Sequence, residues 1–111
     1  MSFIPARGDV VWINLDPQAG HEQAGVRPVL VLSPATYNGR VGLMVCCPIT
    51  TQSKGYPFEV LIKNNLKVSG VILADQVKSL DWKVRGAKKK GSISDDELTE
   101  TLNKLKAVID Y

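Results

Sequence analysis

Short apolar segments separated by glycine, asparagine and proline constrain the fold of this chain more than any other sequence feature. They occupy residues 9–15, 28–32, 41–49, 58–63 and 71–75. In the first segment Val11, Ile13 and Leu15 alternate with residues of the opposite face, as expected for a β-strand. The second, PVLVL, is continuously apolar, which predicts a strand buried on both faces. Asn38-Gly39 predicts a hairpin turn after it. Such strands indicate a mainly β fold, either a small barrel or a curled antiparallel sheet.

The apolar pattern changes to a helical period at the C-terminus. One stripe at helical spacing comprises Leu98, Leu102, Leu105 and Ile109. Ser94 and Glu97 have the spacing of a capping box, and Ile93 and Leu98 that of a hydrophobic staple. The sequence therefore predicts a helix over about residues 94–110 that packs on the sheet and has a structural role.

Chain length and cysteine content restrict the class of protein. The chain has 111 residues, 44% of them hydrophobic, which predicts a single domain over residues 1–111 and makes a homodimer plausible. No run of 18 apolar residues and no secretory signal are present, so we expect no membrane span. Cys46 and Cys47 would point to opposite faces of a strand and could not bridge each other, which suits a reducing cytoplasm.

Charge is distributed unevenly along the chain. Residues 1–53 are neutral, residues 54–90 carry nine Lys and Arg against three acids, and residues 91–111 carry two Lys against five acids. The middle segment, at +6, is a candidate surface for a polyanion. Within it, Lys88, Lys89 and Lys90 are interpreted either as a phosphate-binding patch or as a solvated turn.

The common catalytic motifs are absent from the sequence. His21 is the only histidine, so a two-histidine nuclease within one chain is excluded. No Cys-x-x-Cys pair, histidine cluster or phosphate-binding glycine motif occurs, so no metal and no cofactor are indicated.

Polar residues concentrate instead at the predicted strand ends. These residues are Glu22, Gln23, Arg27, the segment 50–54 and the segment 75–78. Each could be ordinary loop solvation, although an arginine directly before an apolar strand usually pairs with a carboxylate or binds an anion. RNA cleavage suits so sparse a site because the substrate supplies its own nucleophile, the ribose 2′-OH.

Four segments closely resemble the MazF/PemK-type toxins. They are GDVVWINLDP (8–17), GHEQAGVRPVLVLSP (20–34), TTQSKGYPFEV (50–60) and GVILADQVKS (70–79), and RGAKKKG (85–91) resembles the family too. The resemblance is in register over nearly the whole chain. It implies an SH3-like barrel with a C-terminal helix, assembled as a homodimer.

The resemblance also implies an activity. We expect a sequence-specific, metal-independent endoribonuclease that cleaves single-stranded RNA to 2′,3′-cyclic phosphate and 5′-OH ends. We also expect a cognate antitoxin whose flexible acidic tail occupies the RNA groove. The family's catalytic arginine and threonine fall on Arg27 and Thr50, and its loop glutamate falls on Glu22. The residues expected to contact RNA are Val26, Gln52, Lys54, Gln76 and Lys78. Val26 stands where a related toxin has histidine, so base preference can differ.

Two other functions remain open on the sequence. A toxin of similar fold could poison DNA gyrase by protein contact without catalysis, and a passive barrel could bind RNA without cutting it. The motif positions Arg27 and Thr50 favour the ribonuclease.

Overall fold

Seven antiparallel strands and two helices make up the part of the chain that the computed structural model describes, residues 3–17, 20–21 and 23–110. In chain order the elements are β1 (Asp9–Asn14), β2 (Val26–Val31), α1 (Ala35–Val41), β3 (Leu43–Thr50), β4 (Glu59–Leu61), β5 (Val71–Leu73), β6 (Lys78–Asp81), β7 (Lys88–Ser92) and α2 (Asp95–Ile109). The predicted mainly β fold with a C-terminal helix is confirmed. No helix in the described ranges is long and apolar enough to cross a membrane.

The sheet is curled but not closed. Its strands follow the order β4-β5-β3-β2-β1-β7, and β6 pairs with β3 beside this path. The long strand β3 explains the curl, because it pairs with β6 over Leu43 to Cys46 and with β5 at Ile49 and Thr50. Thr50 therefore lies at the end of β3 that pairs with β5 and no longer with β6.

Alternate residues of the central strands pack into two apolar clusters on opposite faces. Leu30 and Cys47 belong to one cluster, together with the partly buried Leu98 and Leu105 of α2. Val31 and Cys46 belong to the other. The prediction of burial on both faces is confirmed for residues 29–32 and is wrong at Pro28, which is only partly buried and lines a surface cleft. The prediction that the two cysteines face apart is confirmed.

The helix α2 begins as predicted. The Ser94 side chain accepts a hydrogen bond from the Glu97 backbone N–H at 3.2 Å, and Ile93 is buried in the cluster that Leu98 contacts. The Glu97 side chain does not bond back to the Ser94 backbone N–H, so the capping box is incomplete. Glu97 Oε2 accepts the backbone N–H of Lys63 at 2.6 Å, which ties the helix to the chain after β4. The predicted apolar stripe is buried only in part, because Leu102 is 36% exposed and Ile109 is 70% exposed.

The predicted hairpin turn at Asn38-Gly39 is wrong, because both residues lie inside α1. The helix ends instead at Gly42, whose φ of 84° is a left-handed conformation that suits glycine. The third strand consequently starts at Leu43 rather than Val41. Asn38 favours a turn by its intrinsic preference, but here its side chain is fully buried and hydrogen-bonded.

Other boundaries also differ from the sequence pattern. β2 starts at Val26, so Arg27 lies on a strand, whereas β4 and β5 are only three residues each. The strands β6 and β7 have no counterpart among the predicted elements. The interpretation of Lys88–Lys90 as a turn is wrong, because these residues form β7, which pairs with β1 at the edge of the sheet. Lysine is common on edge strands because its charge discourages further pairing.

Candidate functional site

Two clefts meet at Thr50, the last residue of β3. The first, which we name the Gln76 cleft, has a volume of about 350 Å³. Its lining residues are His21, Gln23, Thr50, Gln52, Lys54, Tyr56, Glu59, Leu73, Asp75 and Gln76. The second, the Trp12 cleft, has a volume of about 230 Å³. Its lining residues are Trp12, Val26, Arg27, Pro28, Ile49, Thr50, Thr51, Ser69 and Lys90.

The Thr50 side chain is nearly buried, with an exposed fraction of 7%. Its Oγ1 accepts the backbone N–H of Gln52 at 3.2 Å, which turns the chain out of the sheet. Since the oxygen acts there as acceptor, the hydroxyl hydrogen remains available to a ligand at the meeting point of the clefts. A Cβ at Gly70 would collide with the Thr50 backbone carbonyl, so glycine is needed at that position to keep Thr50 in place.

Arg27 lies on β2 opposite Ile13 and lines the Trp12 cleft with Thr50. Its Nε donates to the Ala24 carbonyl at 3.0 Å, which fixes the base of the guanidinium. Among residues 3–17, 20–21 and 23–110, no carboxylate lies within ion-pair distance of Arg27. A guanidinium that lines a cleft and is anchored at Nε is suited to bind an anion.

Glu59 organises the loop that carries Gln52 and Lys54. Its carboxylate accepts hydrogen bonds from the Ser53 hydroxyl at 2.7 Å, from the Lys54 backbone N–H at 2.9 Å and from the Gly55 backbone N–H at 3.1 Å. These donors, with the Lys54 N–H foremost, hold the pKa of Glu59 below its usual value. The sequence analysis missed Glu59, because no local pattern shows that its carboxylate bonds to this loop.

Gln76 lines the Gln76 cleft and is partly buried, with its carboxamide oxygen fully covered. The Oε1 atom is inaccessible to solvent and has no hydrogen-bond partner within the described part of the chain. An unpaired buried acceptor costs about 1–3 kcal/mol. A rotation of the side chain that turned this atom into the cleft would let it accept from a donor group of a ligand.

The structure brings most of the predicted site residues together. Arg27, Val26 and Thr50 meet in the Trp12 cleft, and Gln52, Lys54 and Gln76 join Thr50 in the other. Lys78 begins β6 opposite Cys46 and lines neither cleft. Glu22 lies outside the described residues. Trp12 and Lys90 are additions that the sequence analysis did not assign to the site.

Comparison with known proteins gives one consistent family. Residues 6–109 match the model of the PemK-like, MazF-like toxins of type II toxin–antitoxin systems. The endoribonuclease toxin MazF of Escherichia coli strain K12 is 50% identical over 107 residues, which cover 96% of each chain. The endoribonuclease PemK of Escherichia coli is 34% identical over 93% of this chain and 80% of its own length.

Solved structures agree with the sequence relatives. The crystal structure of MazF from Deinococcus radiodurans superposes with a TM-score of 0.95 at 51% identity, covering 99% of this chain and 100% of that one. A MazE–MazF structure from the same organism gives a TM-score of 0.89 at 51% identity, with 98% of each chain covered. Because the family model, the sequence relatives and the fold agree over almost the full length, this chain belongs to the PemK-like, MazF-like toxins of type II toxin–antitoxin systems.

Proposed function

We propose that this chain is an endoribonuclease toxin that cuts single-stranded RNA where the two clefts meet, between Arg27 and Thr50. Family membership and relatives that are endoribonucleases at 50% identity support the activity. The observation that carries the location is the meeting of Arg27 and Thr50 in one cleft. The sparse chemistry of this cleft suits a substrate that brings its own nucleophile.

Cleavage proceeds by transesterification. The ribose 2′-oxygen attacks the adjacent phosphorus as its proton leaves, and the 5′-oxygen of the next nucleotide departs and takes up a proton. The products are a 2′,3′-cyclic phosphate and a 5′-OH. Catalysis requires an in-line arrangement, two proton transfers and stabilisation of charge on the non-bridging oxygens.

Arg27 and Thr50 stabilise the charge that develops. The guanidinium is held at Nε by Ala24, so its terminal N–H groups can face a phosphate as a fork. The Thr50 hydroxyl donates a second hydrogen bond because its acceptor side is engaged by Gln52. Arg27 stays protonated and acts only as a hydrogen-bond donor. Glu22 is assigned as the general base, because its carboxylate can accept the proton of the 2′-hydroxyl.

The rest of the site binds the RNA strand. Lys54 supplies positive charge at the Gln76 cleft. Gln52 accepts from donor groups on a base, and the Gln76 carbonyl does so once its side chain has rotated into the cleft. Val26 is 64% exposed on the opposite side of Thr50 and offers an apolar contact. Lys78 contacts the RNA outside the two clefts.

The biological setting follows from the family. MazE–MazF complexes of Deinococcus radiodurans contain an antitoxin, and a cognate antitoxin with a flexible acidic tail neutralises this toxin by occupying the RNA-binding surface, with its acids at the Trp12 cleft, where Arg27 and Lys90 lie. The chain works as a single domain in a cytoplasmic homodimer, and it needs neither metal nor cofactor.

Incubation of the purified protein with a mixed-sequence RNA in EDTA tests the proposal. Cleavage at one short sequence with cyclic phosphate ends is expected. Arg27→Ala and Thr50→Val should each lower turnover by on the order of 10²-fold or more. Arg40→Ala and Thr99→Val are matched controls, because both residues are exposed on helices away from the clefts.

Each alternative has its own outcome in this experiment. A gyrase poison would leave the RNA intact, and a passive RNA-binding barrel would bind it without forming new ends. A folded Arg27→Ala protein with normal turnover would remove Arg27 from the site.

A further inference from the structure

Trp12 is the more exposed of the two tryptophans in the chain. Its side chain is 39% exposed on β1 and forms part of the wall of the Trp12 cleft, beside Arg27 and Thr50. The other tryptophan, Trp82, is 7% exposed, and its Nε1 donates to the Asn38 carbonyl at 2.9 Å. An aromatic ring left open beside cations is the usual platform for stacking a nucleic-acid base.

The lysines of β7 differ in their surroundings. Lys89 Nζ lies 3.3 Å from Asp9 Oδ1, so its charge is already paired. Lys90 Nζ lies 4.7 Å from the centre of the Trp12 ring and lines the Trp12 cleft. No carboxylate of the described residues pairs with Lys90.

An irregularity in the sheet creates this difference. In the pairing of β1 with β7, Val11 is opposite Lys89 and Val10 is opposite Gly91, so the register shifts at Lys90. An extra residue of this kind redirects its side chain and is common beside functional sites. It brings the Lys90 ammonium over the indole ring, within the cleft that Arg27 lines.

We propose that Trp12 and Lys90 form a nucleotide subsite of the RNA-binding surface, in which a base stacks on the indole ring and the ammonium binds a backbone phosphate. This inference rests on the proposed ribonuclease function. An exposed cation–π contact is weak, so an incoming base can replace the ammonium over the ring. The displaced ammonium then finds a phosphate in a cleft where Arg27 already adds a second positive charge.

The subsite is tested with a mixed-sequence 2′-O-methyl RNA, which binds but lacks the attacking hydroxyl. Binding is followed by the emission of Trp12, taken as the difference between the wild-type protein and Trp12→Phe. We expect the RNA to quench this emission. Affinity, measured by anisotropy of labelled RNA, should fall roughly 5- to 100-fold in Trp12→Leu and be largely retained in Trp12→Phe, which still offers a ring.

The two lysines provide a matched pair for the ionic part. Lys90→Gln should reduce the slope of log affinity against log salt by about 0.7, the value for one phosphate contact on a single strand. Lys89→Gln should leave that slope unchanged, because its charge is neutralised by Asp9. Thermal unfolding of each variant checks the fold, and Trp12→Phe keeps the stacking test available if Trp12→Leu is unstable.

Three results would overturn the subsite. The first is wild-type affinity for RNA in folded Trp12→Leu, and the second is an equal salt slope in Lys90→Gln and the wild type. Either result would refute the subsite and leave the proposed ribonuclease function intact, provided that the wild type still cleaves RNA. Quenching of Trp12 by poly-glutamate but not by RNA would assign the surface to an acidic peptide instead. Failure of the wild type to cleave any RNA would refute the proposed function, and RNA affinity of the variants would still report on the subsite.

Discussion

Asn38 holds together the junction between α1, the N-terminal segment and β3, and its replacement should be costly. Its side chain is fully buried and takes part in three hydrogen bonds. Oδ1 accepts from the Ser33 hydroxyl at 2.5 Å, and Nδ2 donates to the carbonyls of Pro5 at 2.8 Å and Ser33 at 3.0 Å. The Ser33 hydroxyl in turn accepts the backbone N–H of Val45 at 2.8 Å.

The expected loss in Asn38→Ala follows from these contacts. Three hydrogen bonds at about 1 kcal/mol each give about 3 kcal/mol. The buried Pro5 carbonyl then lacks its Asn38 donor, so a total loss of about 3–5 kcal/mol in the free energy of unfolding is expected. This is a large share of the roughly 5–15 kcal/mol that stabilises an ordinary domain.

Asn65 is a matched control for this substitution. It also takes part in three side-chain hydrogen bonds, to the Ser92 carbonyl and from the backbone N–H groups of Lys67 and Val68. Because Asn65 is only half-buried, water can replace some of these bonds, and Asn65→Ala should cost about 1–2 kcal/mol. Urea unfolding of both variants measures the difference. Equal losses, or a loss below about 1 kcal/mol for Asn38→Ala, would refute the argument from burial.

Three further predictions concern the site and the core. Glu59→Gln should loosen the loop at residues 53–55 and raise KM for RNA more than it lowers kcat, and an unchanged KM would contradict this. Because the pKa of Glu59 is lowered, the wild-type loop should be anchored at pH values above the usual carboxyl pKa and released as the pH falls through the lowered value. Burial raises the pKa of the Cys46 thiol to about 12 and that of Cys47 still higher, so neither thiol should react with iodoacetamide at pH 8 in the folded protein. The free energy of unfolding should decline as the pH rises above about 9, because only the thiols of the unfolded chain ionise there. Rapid labelling of the folded protein would be inconsistent with this burial. Gln76→Met should remove the unpaired carbonyl, leave the free energy of unfolding unchanged or higher, and alter the RNA sequence that is cut. A lower free energy of unfolding with the same cut sequence would show that the carbonyl serves the fold.

The strands and helix with a regular apolar period could be predicted from the sequence. Apolar residues alternate in β1 and are continuous in most of β2, as expected for strands. The helix α2 has an apolar stripe at helical spacing and the Ser94 cap, so its sequence pattern alone indicates a helix. α1 could not be recognised in the same way, because it contains an Asn-Gly pair and is only seven residues long. It is stabilised by tertiary contacts of Asn38 that no local pattern reports. β7, with the sequence KKKGS, has no apolar alternation and depends on pairing with β1.

The site residues that could be predicted are those in the motif segments, and the ones that were missed depend on contacts between distant parts of the chain. Arg27, Thr50, Gln52, Lys54 and Gln76 belong to motif segments that the resemblance aligns, and the structure brings them to the two clefts. Trp12 and Lys90 were missed because their proximity depends on the β1–β7 pairing and its register shift. Glu59 was missed because its role is visible only in the hydrogen bonds of its carboxylate to the loop at residues 53–55.

Cleavage of an RNA with a single 2′-deoxyribose on the 5′ side of the mapped cut tests the central claim most directly. The account predicts that this strand binds in EDTA but is not cut at that bond, because the attacking hydroxyl is absent. The matching all-ribose strand should be cut there and end in a 2′,3′-cyclic phosphate. Scission of the deoxy strand at the same bond would contradict the account, because the nucleophile would then not be the ribose hydroxyl.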